Sequence, residues 1–239
     1  MPLKYKILAV QLALIAFAGV AVAEELANFP YPSPLVRPFL PPKLRWPTDQ
    51  VIAWVEIGQI DRGFARFFAR DPERTVPAGN NMVSAADGVV QHVDYRGGVT
   101  YLVVGLSFWD VHVVRTPLAG IVKDVAPVGT WYDRALPGSR SPAESEKVIY
   151  LQGKAAPVQQ VVTIGTKLGD IRVRLITSYW ASRLRVWVRP GQHIARGERI
   201  GRILLGSTVV VEWPGKVDLQ VKPPEHVLGG ESVIGSIAP

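Results

Sequence analysis

The sequence contains no cysteine, which excludes thiolate catalysis, thiolate metal sites and disulfides. Its four histidines, His92, His112, His193 and His226, show no i,i+4 pairing, so no zinc set is offered and no metal is expected. The chain also lacks a basic stripe interleaved with aromatics. Lys and Arg outnumber Asp and Glu by 27 to 20, but the cations are scattered. The formal charge of +7 therefore points to an anionic phospholipid membrane as partner rather than to nucleic acid. Wholesale disorder is excluded by 48% hydrophobic residues against 20% charged. The 239 residues suffice for one good core.

Residues 1–23 read as a signal peptide or membrane anchor. Lys4 and Lys6 precede an apolar run, Ile7 to Val22, that ends in Ala21-Val22-Ala23 ahead of Glu24-Glu25. Residues 24–50 are proline-rich, with Pro30, Pro32, Pro34, Pro38, Pro41, Pro42 and Pro47. They read as an extended linker without regular helix. Val51 to Phe68 is the best helical candidate. Gly58 and Gly63 divide it into two short pieces, one carrying Val51, Trp54 and Val55 and the other Phe64, Phe67 and Phe68.

From about Met82 the chain becomes short Val/Ile/Leu/Tyr runs punctuated by glycine and proline. These predict strands at Val89–Val90, Thr100–Val104, Val111–Val114, Ile121–Val125, Val148–Leu151, Val158–Ile164, Ile171–Ile176, Arg185–Val188, Arg199–Leu204, Thr208–Val211 and Val217–Val221. Trp131 to Glu146 reads as one long loop. A weak repeat relates Val188–Gly201 to Val221–Gly235, each with strand, turn, x-His-aliphatic, x-x-Gly-Glu and aliphatic-Gly. Such hairpins resemble those of lipoyl-type and biotinyl-type barrel-sandwich modules, in which a lysine at a hairpin tip carries the cofactor, but the strand connections offer no matching Met-Lys-Met or similar. His193 and His226 occupy equivalent turn positions and read as structural. The expected fold is mainly β (α+β). It is an antiparallel β-sandwich or barrel-sandwich-like domain over residues 51–239, with lipoyl-type hairpins and one or two N-terminal helices.

The feature that carries chemistry is Leu205-Gly206-Ser207-Thr208, followed by Val209-Val210-Val211. Gly206 has no Cβ, so the chain can bend and expose its carbonyl. A serine between that glycine and a rigid β-branched run is placed to attack its own backbone. Three other segments accompany it: Arg66 to Pro77, Val83-Ser84-Ala85-Ala86-Asp87-Gly88, and Leu106-Ser107-Phe108-Trp109-Asp110-Val111-His112-Val113-Val114-Arg115. Read alone, Asp87-Gly88 is a plain turn, His112 a half-buried strand residue and Asp110 a strand-end turn residue.

Together, in this order and spacing over residues 64–239, the segments resemble the phosphatidylserine decarboxylase family, nearer its shorter bacterial and archaeal type. The resemblance implies a self-processing carboxy-lyase. Ser207 would attack the Gly206 carbonyl, and elimination would release a large chain 1–206 from a small chain 207–239. Residue 207 would become a covalent pyruvoyl cofactor. His112 is the implied base and Asp87 its orienter, so the catalytic set is Ser207, His112 and Asp87. The implied substrate is phosphatidylserine, decarboxylated to phosphatidylethanolamine at a bacterial inner membrane, on an exported face if the N-terminus directs it there.

The sequence departs from the family pattern in three places. Arg115 stands where many members have a second histidine, and it is a candidate for a substrate phosphate or carboxylate. The family's Ser-Pro-Ala-Asp appears as Ser84-Ala85-Ala86-Asp87, and its Ser-Pro before the histidine appears as Ser107-Phe108. A divergent pyruvoyl decarboxylase for another amino-acid head group therefore stays open. So does a non-enzymatic, exported barrel-sandwich binding module, which would need no Gly206-Ser207, Asp87 and His112 set. An endopeptidase is disfavoured by the lack of an oxyanion-hole motif.

Overall fold

The computed structural model describes residues 2–128, 158–177, 183–204 and 207–237. The expected strand at Val148–Leu151, the long loop Trp131–Glu146 and Gly206 lie outside the described residues. The chain divides into two compact units, Met1–Phe64 and Ala65–Pro239.

In the first unit, helix α1 (Leu3–Asn28) has no buried residue. Its 26 residues would extend about 39 Å, longer than the roughly 30 Å of a bilayer's hydrocarbon core. The proline-rich segment is not the extended linker expected of it. It holds a 3-10 turn (Arg37–Phe39), α2 (Pro42–Arg45) and the start of α3 (Thr48–Ile57). Prolines occupy the first turns or N-caps of these elements, where a missing N–H and a fixed φ cost nothing. Arginines satisfy the carbonyls left over: Arg37 Nη2 donates to Pro32 O at 3.0 Å, and Arg45 Nε donates to Leu40 O at 3.0 Å. Gly58, at φ 71°, closes α3 in the left-handed region. Asp61 Oδ1 accepts from Phe64 N at 2.8 Å at the start of α4 (Arg62–Phe68). Two short helices therefore stand where the glycines predicted a division.

The second unit is β-rich. Its strands are β1 (Asn81–Val83), β2 (Gly88–Arg96), β3 (Val99–Leu106), β4 (Val113–Arg115), β5 (Gly120–Val128), β6 (Val158–Thr166), β7 (Gly169–Thr177), β8 (Arg183–Val186), β9 (His193–Ile194), β10 (Arg199–Leu204), β11 (Ser207–Pro214), β12 (His226–Val227) and β13 (Val233–Ser236). All ladders among the described residues are antiparallel, in agreement with the expected class. The large sheet runs β12-β2-β3-β11-β7-β6-β5-β9; β1 pairs with β13, and β4-β10-β8 form a third sheet. Inward-facing Leu102, Val104, Ile171, Val173, Leu175, Val209, Val211 and Trp213 alternate along the strands and fill one core.

The strand order is palindromic about the β11–β7 pair, so the unit is built of two similar halves. One half joins β1, β2, β3, β11, β12 and β13; the other joins β4, β5, β6, β7, β9 and β10. Ser84–Gly88 and Thr116–Gly120 are equivalent corners. Ser84 Oγ donates to Ala86 O at 2.8 Å and Thr116 Oγ1 to Leu118 O at 2.5 Å. A Cβ on Gly88 would lie 2.3 Å from Gly105 O, and one on Gly120 would lie 2.3 Å from Gly165 O, so both corners need glycine. Both following strands carry an irregularity one turn on, at Val90/His92 and Val122/Asp124. The two His hairpins found in the sequence are the matching edges of this larger symmetry.

Val217–Val221 is not a strand. Leu219 makes an isolated bridge to Gly235 of β13, and Gln220 N donates to Ile234 O at 2.8 Å, but the pairing extends no further. The strand expectations also omitted β1 and β13, which are three and four residues long.

Candidate active site

Residues 107–112 form the connector that joins β3 to β4. β3 pairs with β11 and β4 with β10, so the end of β10 and the start of β11 flank the two ends of this connector. Ser207 opens β11 opposite Leu106 on one side and Thr177 on the other. Four residues earlier, Ile203 N donates to His112 O at 3.0 Å.

His112 is 1% exposed. Its Nδ1 lies 3.0 Å from Asp110 O. A carbonyl only accepts, so Nδ1 carries the proton. Nε2 is buried with no hydrogen-bond partner among the described residues. The Phe68 ring covers the imidazole at 4.0 Å between centroids. Burial pushes the His112 pKa down to about 4, and the Arg70 and Arg202 cations push in the same direction against the opposing pull of Asp110. The ring is thus a neutral base at neutral pH, with its accepting nitrogen free.

Asp110 tightens the connector. Its Oδ2 accepts from Ser107 N at 2.7 Å and Ser107 Oγ at 2.6 Å, and its Oδ1 lies 2.9 Å from His226 Nε2. Burial alone would raise its pKa. The Ser107 donors and His226 outweigh burial and hold the carboxyl below the ordinary range. Arg70 donates to Phe67 O at 3.0 Å and to Trp109 O, so it stitches the end of α4 to the same connector.

The structure does not bring Asp87 to His112. Asp87 Oδ2 takes Arg74 Nη2 at 2.7 Å and Oδ1 takes Gly229 N at 2.8 Å, while His112 Nδ1 is already used by Asp110 O. Arg74 also meets Glu231 at 2.9 Å. Arg115 does not face an open site either. It is 5% exposed, and its guanidinium donates to Gly197 O at 3.0 Å and Asp71 Oδ1 at 3.1 Å. Asp71 is shared with Arg199 Nε at 2.7 Å. Three of its five N–H donors go to protein acceptors, and its charge is balanced by Asp71.

Arg202 differs. Its guanidinium lies over the Trp187 ring at 5.6 Å, and its Nε is buried without a partner. It faces Val113 across the β4–β10 ladder and lies near enough to His112 to oppose its protonation. Nothing in the pattern singles out Arg202 from any other strand arginine. Arg70 and Arg74 lie in the Arg66–Pro77 segment, to which the motifs assign no individual role, and Asp110 and His226 read as turn residues. A demand that each buried carboxylate have a cation would have pointed to Arg74.

Comparison with known proteins places these residues in context. The family model described as phosphatidylserine decarboxylase matches residues 62–235. A phosphatidylserine decarboxylase proenzyme of Solibacter usitatus is 34% identical over 171 residues, 72% of this chain and 78% of that protein. The one of Streptomyces coelicolor is 33% identical over 165 residues, 69% of each chain. The one of Symbiobacterium thermophilum is 31% identical over 202 residues, 81% of this chain and 86% of that protein.

Proposed function

This chain belongs to the phosphatidylserine decarboxylase family and is a decarboxylase. From that premise we propose that it cuts itself between Gly206 and Ser207 and uses the resulting pyruvoyl group to convert phosphatidylserine to phosphatidylethanolamine. The observation that carries this reading is the buried Nε2 of His112, without a hydrogen-bond partner among the described residues, on the connector whose ends are flanked by β10 and by the start of β11 at Ser207.

In the self-cleavage, Ser207 Oγ gives up its proton to His112 Nε2 and attacks the Gly206 carbonyl carbon. The Gly206–Ser207 C–N bond breaks, leaving an ester and a free amine at Ser207. Removal of the Ser207 α-proton expels the Gly206 carboxylate. The dehydrated residue takes up water and releases ammonia, leaving a ketone at the new N-terminus. A neutral imidazole with Nδ1 fixed and Nε2 open suits both proton transfers. That same orphaned nitrogen supports the fit of residue 207 as the pyruvoyl site. Once formed, the group supplies an electron-withdrawing carbonyl that accepts the electrons left as carbon dioxide departs.

Other residues have separate work in this reading. His112 returns a proton to the carbon that loses carbon dioxide. Arg202, with no carboxylate partner among the described residues, receives the anionic part of the substrate head group, whereas the charge of Arg115 is balanced by Asp71. Asp87 acts on the C-terminal hairpin through Gly229 and Arg74, and not on the imidazole. α1 and the net positive charge favour an anionic membrane surface.

The test is denaturing electrophoresis and mass spectrometry of the purified full chain. Scaling 26.2 kDa over the chain gives a small fragment of roughly 3 to 4 kDa, with an N-terminus that reacts with a carbonyl reagent. Ser207→Ala stays whole and inactive. Wild-type protein that stays whole and unlabelled while decarboxylating phosphatidylserine vesicles overturns the reading.

A further inference from the structure

His226 stands in the second His hairpin, half exposed; its counterpart His193 pairs with Ile121 through the backbone. His226 Nε2 reaches across to Asp110 Oδ1 at 2.9 Å. Asp110 is the residue whose carbonyl takes the Nδ1 proton of His112, at 3.0 Å. Its carboxylate is further held by Ser107 N and Oγ, and its own N donates to Ser107 O at 3.1 Å. The turn is therefore closed from within by Ser107; from outside, Arg70 holds the Trp109 carbonyl and His226 holds the Asp110 carboxylate. Fixing the carboxylate fixes the backbone torsions of Asp110, and with them the direction of its carbonyl.

We propose that His226 is a positioning residue for the base. Through the Asp110 carboxylate it aims the Asp110 carbonyl at Nδ1 of His112, which keeps the proton on Nδ1 and leaves Nε2 bare. The inference rests on His112 as the base of the reaction proposed above. It adds that the strand segment beyond the cleavage point helps to arm the group that makes the cut. A donor aimed at the Asp110 carboxylate is all the role requires, so a glutamine amide at 226 should serve and an alanine should not.

Two measurements decide it. The first is the rate of self-cleavage of the full chain. His226→Ala should slow it roughly 10- to 100-fold, as expected when a reacting group drifts from its alignment. His226→Gln should restore most of the rate, and His193→Ala should leave it unchanged. Asp110→Asn should show the same defect as His226→Ala, and the double variant should be no slower than either single one. Additive defects, or a His226→Ala chain that cleaves at the wild-type rate, overturn the proposal.

The second measurement needs no activity: 15N NMR of the histidines in the uncleaved Ser207→Ala chain. His112 should report a protonated Nδ1 and a bare Nε2, and adding His226→Ala should shift it toward a tautomer mixture while His226→Gln preserves the signature. An unchanged His112 spectrum in the alanine variant overturns the proposal. If wild-type protein never cleaves, the function proposed above fails, while this spectrum still decides the role of His226.

Discussion

The two halves of the β unit share corner, hairpin and sheet position but differ in what their equivalent residues touch. At the first corner Asp87 binds Arg74 and Gly229 N; at the second the equivalent residue is Ala119, which is exposed. In one hairpin Glu231 reaches out to Arg74 and to Thr75 N at 3.0 Å. In the other, Glu198 turns inward and accepts from Ala195 N at 2.7 Å. The His226 side chain meets Asp110, whereas His193 pairs with Ile121 through the backbone. The same local backbone thus serves as scaffold in one half and as part of the site in the other. The difference lies in the long-range partner, not in the element. The half that carries the site is also discontinuous, since β11–β13 return to it only after the second half is complete.

The sharpest way to break this contrast is to act where the halves join. Replacing His112 with alanine should slow self-cleavage by at least about 100-fold, the usual share of a general base, as read from the appearance of the small fragment. Substitutions confined to the hairpin of the second half should leave that rate alone.

A smaller effect separates the two corners. Asp87→Ala leaves Arg74, whose side chain is 8% exposed, facing only the half-open Glu231. It should destabilise the chain by about 3 kcal/mol in denaturant titrations, the cost of orphaning one member of a buried pair. Ala119→Ser should stay within about 0.5 kcal/mol. Equal losses at both corners would end the contrast.

The third effect is a pH dependence. His112 is buried neutral with its pKa held near 4, whereas in the unfolded chain it ionises near its ordinary value of about 6.5. Between these values the unfolded state binds the extra proton. Stability should therefore fall as pH drops from about 6.5 to about 4, by on the order of 3 kcal/mol, and level off below. In the Ser207→Ala background, His112→Phe should flatten that slope in chemical denaturation.

Sequence patterns exposed local periodicity well and long-range pairing badly. The His hairpins were legible because His, aliphatic, Gly and Glu recur at fixed offsets. The larger symmetry was not, since Ser84–Gly88 and Thr116–Gly120 share only a β-hydroxyl and a glycine. Val217–Val221 alternates like a strand, but pairing is decided by a neighbour, and it meets β13 only at Leu219 and Gln220. At the candidate site, Ser207 and His112 stand out in the sequence through the motifs that hold them. The orientation of His112 was assigned to Asp87 because a carboxylate beside a histidine is a familiar pattern. Here a backbone carbonyl does that work, and no side-chain motif announces a carbonyl. Arg115 drew attention by replacing a histidine, but nothing in its spacing disclosed that Asp71, forty-four residues earlier, would neutralise it.

One feature of the large sheet bears on what self-cleavage would leave behind. β11 is an interior strand, laddered to β3 along its whole length and to β7 from Ser207 to Glu212. A nick just before it would free a terminus but not a piece. Parting the two polypeptides would mean unzipping the middle of the sheet, so they should travel together as a heterodimer through any purification that keeps the protein folded.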